Sequence, residues 1–335
     1  MNPITDDFNL AGSHAPATDA FEQFGATLKG RSLLSMAEIT SDEFAAIMTV
    51  AAGMELGHKT ESPFLKWTYP KSLAMIFEKP SLRTRVTFDI GMRQLGGLTT
   101  ILGPAEIGLG QRESVPDVAQ NLQGWVDCVM ARVFDHQVLI DLRDNCDLPI
   151  INGLSDFEHP CQAVTDFYTI WEKAGKLDGL TLSYIGDGNN VLHSLALAGA
   201  LAGVNIHAAC PVGYEPDPSV IGAANEIADG RCKIEITDSP NEATVGADVV
   251  YTDVWTSMGQ EKEQLARIQA FRSFQVNSEL MALAKPDAIF MHCLPAHRGD
   301  EVTDDVMDGP QSVVFKQAEN RLHAQKAIMA MLIGK

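Results

Sequence analysis

The chain has 335 residues, 45% of them apolar, with 25 basic against 44 acidic side chains and a net charge of −19. That length allows two domains of about 100–200 residues each. The acidic balance excludes general nucleic-acid binding, which needs a basic footprint, and no apolar run approaches the roughly 20 residues of a membrane span.

Residues 1–27 carry Asp6, Asp7, Asp19 and Glu22, with no Lys or Arg before Lys29. That charge is wrong for a transit peptide, and a signal peptide would need an apolar core. The segment reads as a polar, partly disordered N-terminal extension. From residue 72 short apolar runs alternate with amphipathic stretches. Strands are expected at "SLAMIFE", "TTILG", "CVMARVF" and "LPIING", with helices at "SLRTRVTFDIGMRQLGG", "VPDVAQNLQGWV", "QVLIDLRDNC" and "CQAVTDFYTIWEKAG". The alternation then restarts at "LTLSYIGDG". It continues through the strands "NIHAACP", "KIEIT", "DVVYTDVW" and "AIFMHCLP" to a last strand "SVVF" and a C-terminal helix. Such patterning predicts α/β architecture: two doubly wound parallel-sheet domains, meeting near residues 155–180. Cys128, Cys146, Cys161, Cys210, Cys232 and Cys293 are scattered without a C-x-x-C pair, which reads as reduced thiols in a cytosol.

In open parallel sheets ligands bind beyond the carboxyl ends of the strands, and five polar clusters fall there. In "EKPSLRTR" Ser81 stands where a helix N-cap belongs, with Arg83 and Thr84 in the first turn. Cations at that end oppose the helix dipole unless an anion sits in the nest, and a phosphate fits. The plainer reading is a capped helix with solvated arginines. In "FEHPCQAVTD" Pro160 presets a helix start from which His159 and Gln162 project, able to meet a developing oxyanion and an amide.

"YIGDGNNV" lacks the third glycine of a dinucleotide fingerprint, since Val191 stands there. Asn189 and Asn190 serve either a ligand or a helix cap. In "YTDVWTSMGQE" Asp253 ends a strand before the loop of Ser257 and Met258, suited to an ammonium group or to nothing beyond a surface turn. In "MHCLPAHRGDEV" His292 and Cys293 adjoin. Adjacent strand residues alternate in direction, so only one is expected to face a given site, and three or four convergent metal ligands are not visible. No metal and no cofactor is expected. His292 is read as facing away, and His297 and Arg298 have no assigned role.

Together "SLRTR", "HPCQ", "DVWTSMGQE" and "HCLP" resemble the aspartate/ornithine carbamoyltransferase family, the last two pointing to its ornithine branch. The resemblance runs in order from about Lys29 to Gly334. It implies a carbamoyl phosphate-binding domain at 28–165, joined by the C-terminal helix 316–335, an ornithine-binding domain at 166–315, and an active site in the cleft between them. It implies carbamoyl phosphate contacts at Ser81, Leu82, Arg83, Thr84, Arg132, His159, Gln162, Cys293, Leu294 and Arg321, with Arg85 supporting. Catalytic roles are implied for Arg83, Arg132, His159 and Cys293, and ornithine contacts for Asn190, Asp253, Ser257 and Met258. A cytoplasmic homotrimer, or a multiple of trimers, is implied as well. The chain departs from the family where many relatives have a glutamine that reaches a neighbouring subunit; here Gly108 stands, with Gln111 and Arg112 as candidate replacements. Gln120 also replaces a common arginine.

The reaction expected is attack of the deprotonated δ-amine of L-ornithine on the carbamoyl carbon of carbamoyl phosphate, through a tetrahedral intermediate, giving L-citrulline and phosphate. Cys293, with Asp253 nearby, is expected to align the amine and ease loss of its proton, since a comparable lysine titrates at about 10.4. Rival acceptors are putrescine and an N-acylated ornithine. A non-catalytic regulatory paralogue and a dinucleotide-binding oxidoreductase are the readings from other classes.

Overall fold

The computed structural model describes residues 14–256 and 263–334. The chain divides into two compact units: one runs to Tyr168 and resumes at Glu319, and the other comprises Thr169–Ala318. Among the described residues no helix is long and apolar enough to cross a membrane.

The first unit opens with α1 (Ala15–Leu28) and α2 (Ser41–Lys59). Here the expectation of a polar extension over residues 1–27 is corrected from Ala15 on; residues 1–13 lie outside the described residues. Ala17, Ala20, Phe21 and Leu28 repeat at helical spacing and are buried. They dock on α2 at Gly53, where an added Cβ would meet the Ala17 methyl at 2.5 Å. α2 itself begins in a capping box: Thr40 Oγ1 accepts from Glu43 N and Glu43 Oε2 accepts from Thr40 N.

The elements β1 (Ser72–Phe77), α3 (Leu82–Gln94), β2 (Leu98–Leu102), α4 (Pro104–Ile107), α5 (Val115–Gln123), β3 (Cys128–Arg132), α6 (His136–Asp144) and β4 (Ile150–Leu154) follow. The sheet is parallel in the order β2-β1-β3-β4. β1 and β3 are buried along nearly their whole length, as strands covered on both faces must be. Helix α7 (Pro160–Ala174) then carries the chain into the second unit.

That unit contains β5 (Thr181–Ile185), α8 (Asn190–Ala202), β6 (Asn205–Ala209), α9 (Pro218–Ala228), β7 (Ile234–Thr237), α10 (Pro240–Thr244), β8 (Val249–Thr252), α11 (Gln264–Phe271), α12 (Ser278–Met281), β9 (Ile289–His292) and α13 (Asp304–Met307). Its parallel sheet has the order β7-β6-β5-β8-β9. α8 is largely apolar, with His193 and Ser194 as exceptions, and buried from Val191 to Leu201, as a helix with no solvent face should be. Helix α14 (Val314–Ile333) returns the chain to the first unit. The expected strand "SVVF" is corrected. Ser312 makes one isolated bridge to Phe290, and Val314 already begins α14. A short apolar run has no period that separates strand from buried helix.

In each sheet the strand order reverses once: between β1 and β3 in the first, between β5 and β8 in the second. Loops leave in opposite directions there, which opens a crevice at the strand ends.

Candidate active site

At the β1/β3 switch point the loop after β1 places Ser81 as the N-cap of α3. Its Oγ accepts from Thr84 N at 3.2 Å. Thr84 is buried, Arg83 half-buried, and Leu82 and Arg85 exposed. Arg132 ends the neighbouring strand, in register with Phe77 of β1. His159 arrives from β4 through a turn in which Glu158 N donates to Ser155 Oγ and Asn152 Nδ2 donates to Glu158 O. α7 then starts at Pro160, and the amides of Gln162 and Ala163 bond the His159 carbonyl at 3.0 and 3.2 Å.

Arg321, buried on α14, ties these pieces together. Its guanidinium donates to Gln162 Oε1 at 2.5 Å and to Thr84 Oγ1 at 3.0 Å. Gln162 Nε2 in turn donates to Asp166 Oδ1 at 2.8 Å, so the orientation of its amide is set by both neighbours. His159 is buried, and burial above all, then Arg321, Arg132 and Arg83, holds its pKa well below the usual imidazole value. The imidazole is therefore neutral at physiological pH and can still donate one hydrogen bond. The positive fields of three guanidinium groups reach one neutral imidazole, an arrangement chemically suited to a compact, doubly charged anion.

At the β5/β8 switch point of the second unit, Asn189 caps α8, its Oδ1 accepting from the amides of Val191 and Leu192. Its Nδ2 donates to Asp253 Oδ2 at 2.9 Å. Asp253, buried just beyond β8, also accepts from Cys293 Sγ at 2.9 Å. Asn189 is thus a helix cap whose amide also fixes Asp253, while Asn190 is the first residue of the helix.

His292 is held differently from expectation. Its ligating atom lies within 4.8 Å of those of Asp253 and Cys293. The pleat ends at His292, so strand alternation no longer governs Cys293. The imidazole is buried and engaged at both nitrogens. Nδ1 accepts from Leu294 N at 2.8 Å, which puts the proton on Nε2, facing Glu301 Oε1 at 3.1 Å. Leu294 has φ +60°, a conformation that costs a non-glycine residue about 1–3 kcal/mol. The His292–Glu301 pair holds that backbone in place. It is the feature of the site that sequence reasoning missed: "RGDEV" shows a Glu nine residues on, but its burial against His292 is seen only in the fold.

The glycine pair of "GDG" has a structural use. An added Cβ on Gly188 would lie 2.2 Å from Pro216 N, so the close approach that glycine permits is taken by the chain's own 214–216 segment. Asp187 pairs with buried Arg267 at 3.1 Å, while burial, the stronger influence, pushes its carboxyl up to about 7. Gly108 caps α4 at φ +52°, and the Arg112 side chain folds back to Glu106 O, leaving Gln111 exposed at the loop tip. Gln120 is exposed. Ser257 and Met258 lie outside the described residues.

Two parallel α/β units, each with its polar cluster at the topological switch point, define a two-unit α/β enzyme. The chain belongs to the aspartate/ornithine carbamoyltransferase family: the carbamoyl-P binding domain matches residues 31–172 and the Asp/Orn binding domain matches residues 178–332. It is 52% identical to the ornithine carbamoyltransferase of Thermococcus kodakarensis over 309 residues, 92% of this chain and 98% of that protein. A relative from Pyrococcus furiosus, named "Ornithine carbamoyltransferase, anabolic", is 50% identical over 92% of this chain and 98% of its own. The solved structure of the Pyrococcus furiosus ornithine carbamoyltransferase matches with a TM-score of 0.89, at 50% identity and with 92% and 98% of the two chains covered. That of Gloeobacter violaceus matches at 0.81 and 42% identity, covering 90% of this chain and 98% of that one.

Proposed function

We propose that this chain transfers the carbamoyl group of carbamoyl phosphate to the δ-amine of L-ornithine, giving L-citrulline and phosphate. The observation that carries the reading is the buried, neutral His159 in the field of Arg83, Arg132 and Arg321, beside the Arg321 bridge between Gln162 and Thr84. The arginines, with Ser81, Leu82 and Thr84 at the start of α3, hold the phosphate. His159 donates to the carbamoyl oxygen, and Gln162, aligned by Arg321 and Asp166, meets the carbamoyl amide.

Asp253 receives ornithine in the second unit, with, by resemblance, Asn190, Ser257 and Met258. The δ-ammonium first loses a proton, aided by the Asp253–Cys293 pair. The free amine then attacks the carbamoyl carbon, and negative charge gathers on the carbonyl oxygen, where His159 and the arginines stabilise it. The intermediate collapses by breaking the carbon–oxygen bond to phosphate, and one of the two protons on the attacking nitrogen passes to the phosphate oxygen while the other stays in citrulline. Cys293 and Leu294 shape the reacting centre, and no covalent enzyme intermediate forms. Much of the acceleration comes from holding two substrates in register, an effect of up to about 7–11 kcal/mol.

Several further features are supported by particular observations. The word "anabolic" in the name of one relative supports citrulline formation, in arginine biosynthesis, as the working direction. Six free cysteines fit a reducing cytoplasm. Leu82, Val86 and Ile90 form an exposed apolar stripe at i, i+4 and i+8 on α3, which supports self-association; the homotrimer itself is what the resemblance implies. A citrulline assay with L-ornithine, N-acetylornithine and putrescine side by side tests the acceptor. Ornithine is expected to lead by about 100-fold or more in kcat/KM. Equal turnover of either rival would overturn the assignment.

A further inference from the structure

Outside the candidate active site, two helices of the first unit turn Glu and His side chains toward each other. α2 carries "Glu55-Leu-Gly-His58", with the pair at i and i+3, and α14 carries "Glu319-Asn-Arg-Leu-His323", with the pair at i and i+4. Both spacings set the two side chains on one helix face. Across the helices, one ligating atom each of Glu55, Glu319 and His323 lie within 4.8 Å of one another. The rings of His58 and His323 are 5.6 Å apart between centroids. Glu55 and His323 are buried, whereas Glu319 and His58 are exposed.

We propose that Glu55, Glu319 and His323 bind a divalent first-row transition ion, with His58 or a water as the fourth ligand. The donor set decides the class of ion. Imidazole nitrogen with carboxylate oxygen suits Zn2+, Co2+ or Mn2+, and the absence of thiolate from the set disfavours Cu(I). Bonds of about 2.0–2.2 Å put neighbouring ligand atoms about 3.3–3.6 Å apart around a tetrahedral ion. The exposed Glu319 side chain closes the remaining gap by a change of rotamer.

Two neighbours of Glu55 fit this role. Tyr168 Oη donates to Glu55 Oε2 at 2.6 Å, the outer-shell bond that orients a ligating carboxylate. Lys59 Nζ lies 2.7 Å from Glu55 Oε1, on a side chain 57% exposed. Its ammonium neutralises the Glu55 carboxylate and can swing into solvent when the metal binds.

The test uses the full-length protein stripped with a chelator and titrated with Co2+, with bound metal counted by mass spectrometry and its ligand field read in the visible. A Cys293→Ser background removes the thiolate of the Asp253, His292 and Cys293 group, which otherwise offers a second set of ligands. One Co2+ per chain is expected there, with visible bands but without the near-ultraviolet thiolate band. Replacing the two exposed ligands together, Glu319→Gln with His58→Gln, is expected to weaken Co2+ binding at least tenfold while the protein melts as before. No bound Co2+ at excess metal, or an affinity unchanged in the double variant, would overturn the site.

Discussion

The Cys293 thiol lies 2.9 Å from Asp253 Oδ1, although 40 residues separate the two in the chain. The same carboxylate accepts from Asn189 Nδ2 on its other oxygen. One buried acid is thus fixed by two donors, one on each oxygen, at the place where an ammonium group is expected. Cys293→Ser is expected to raise the KM for ornithine about tenfold, and Asp253→Asn about 100-fold, by the usual worth of a hydrogen bond to a charged group. Calorimetric affinity for carbamoyl phosphate should be unchanged in Asp253→Asn and should fall far less than ornithine affinity in Cys293→Ser. A parallel loss of carbamoyl phosphate binding would remove the amine-handling role.

Arg321 bridges Gln162 and Thr84 with two separate nitrogens. A lysine is a single point charge and cannot span both. Arg321→Lys should therefore lower kcat/KM about 100-fold, close to the loss in Arg321→Ala. Steady-state kinetics of the two variants measures this, and near-wild-type activity of the lysine variant would show that charge alone suffices.

An unfolded histidine titrates near 6.5, but burial and three arginines hold folded His159 well below that. Below about pH 6.5 the unfolded chain binds a proton that the folded one does not. This group therefore costs stability as the pH falls, by up to about 1.4 kcal/mol per pH unit until the folded pKa is reached. Denaturant melts of His159→Gln from pH 7 to pH 5 should lose less stability than the parent. Equal slopes would mean that the imidazole is already charged in the folded protein.

Burial pushes the Lys326 ammonium down to about 8 from 10.5, and its partner is a neutral amide, Gln94 Oε1, at 2.9 Å. Between those values the unfolded chain binds more protons, so stability rises with pH across the window. At pH 7 the penalty is fully present. Lys326→Met should stabilise by about 1–3 kcal/mol at pH 7, with the gain shrinking toward pH 10. Thermal melts at the two pH values decide it, and a variant less stable at pH 7 would contradict the sign.

Gly188→Ala inserts a methyl 2.2 Å from Pro216 N, against backbone that cannot rotate away. A loss of about 1–3 kcal/mol or more is expected in denaturant unfolding. A neutral effect would mean that the 214–216 segment yields easily and that the glycine serves some other purpose.

The alternation of strands and helices was readable in the sequence, because parallel strands covered on both faces form continuous apolar runs separated by capped helices. Ser81 at its cap, Pro160 at its helix start and Asp253 at its strand end were legible for the same local reason. Helix α1 was missed because its buried face is built from alanines and a phenylalanine that matter only once Gly53 of α2 lies against them. "SVVF" was misjudged because four apolar residues have no decisive period.

The residue types of the site and the order of its motifs belong to the sequence, which by itself determined an α/β chain of the carbamoyltransferase kind. The depressed imidazole of His159, the double bond of Arg321, the use of Asp253 by Asn189 and Cys293, and the Glu301–His292–Leu294 relay were decided by the tertiary structure. Each depends on distance and burial between residues far apart in the chain. Electrostatic and hydrogen-bond energies vary with separation and local dielectric, and spacing along a sequence encodes neither.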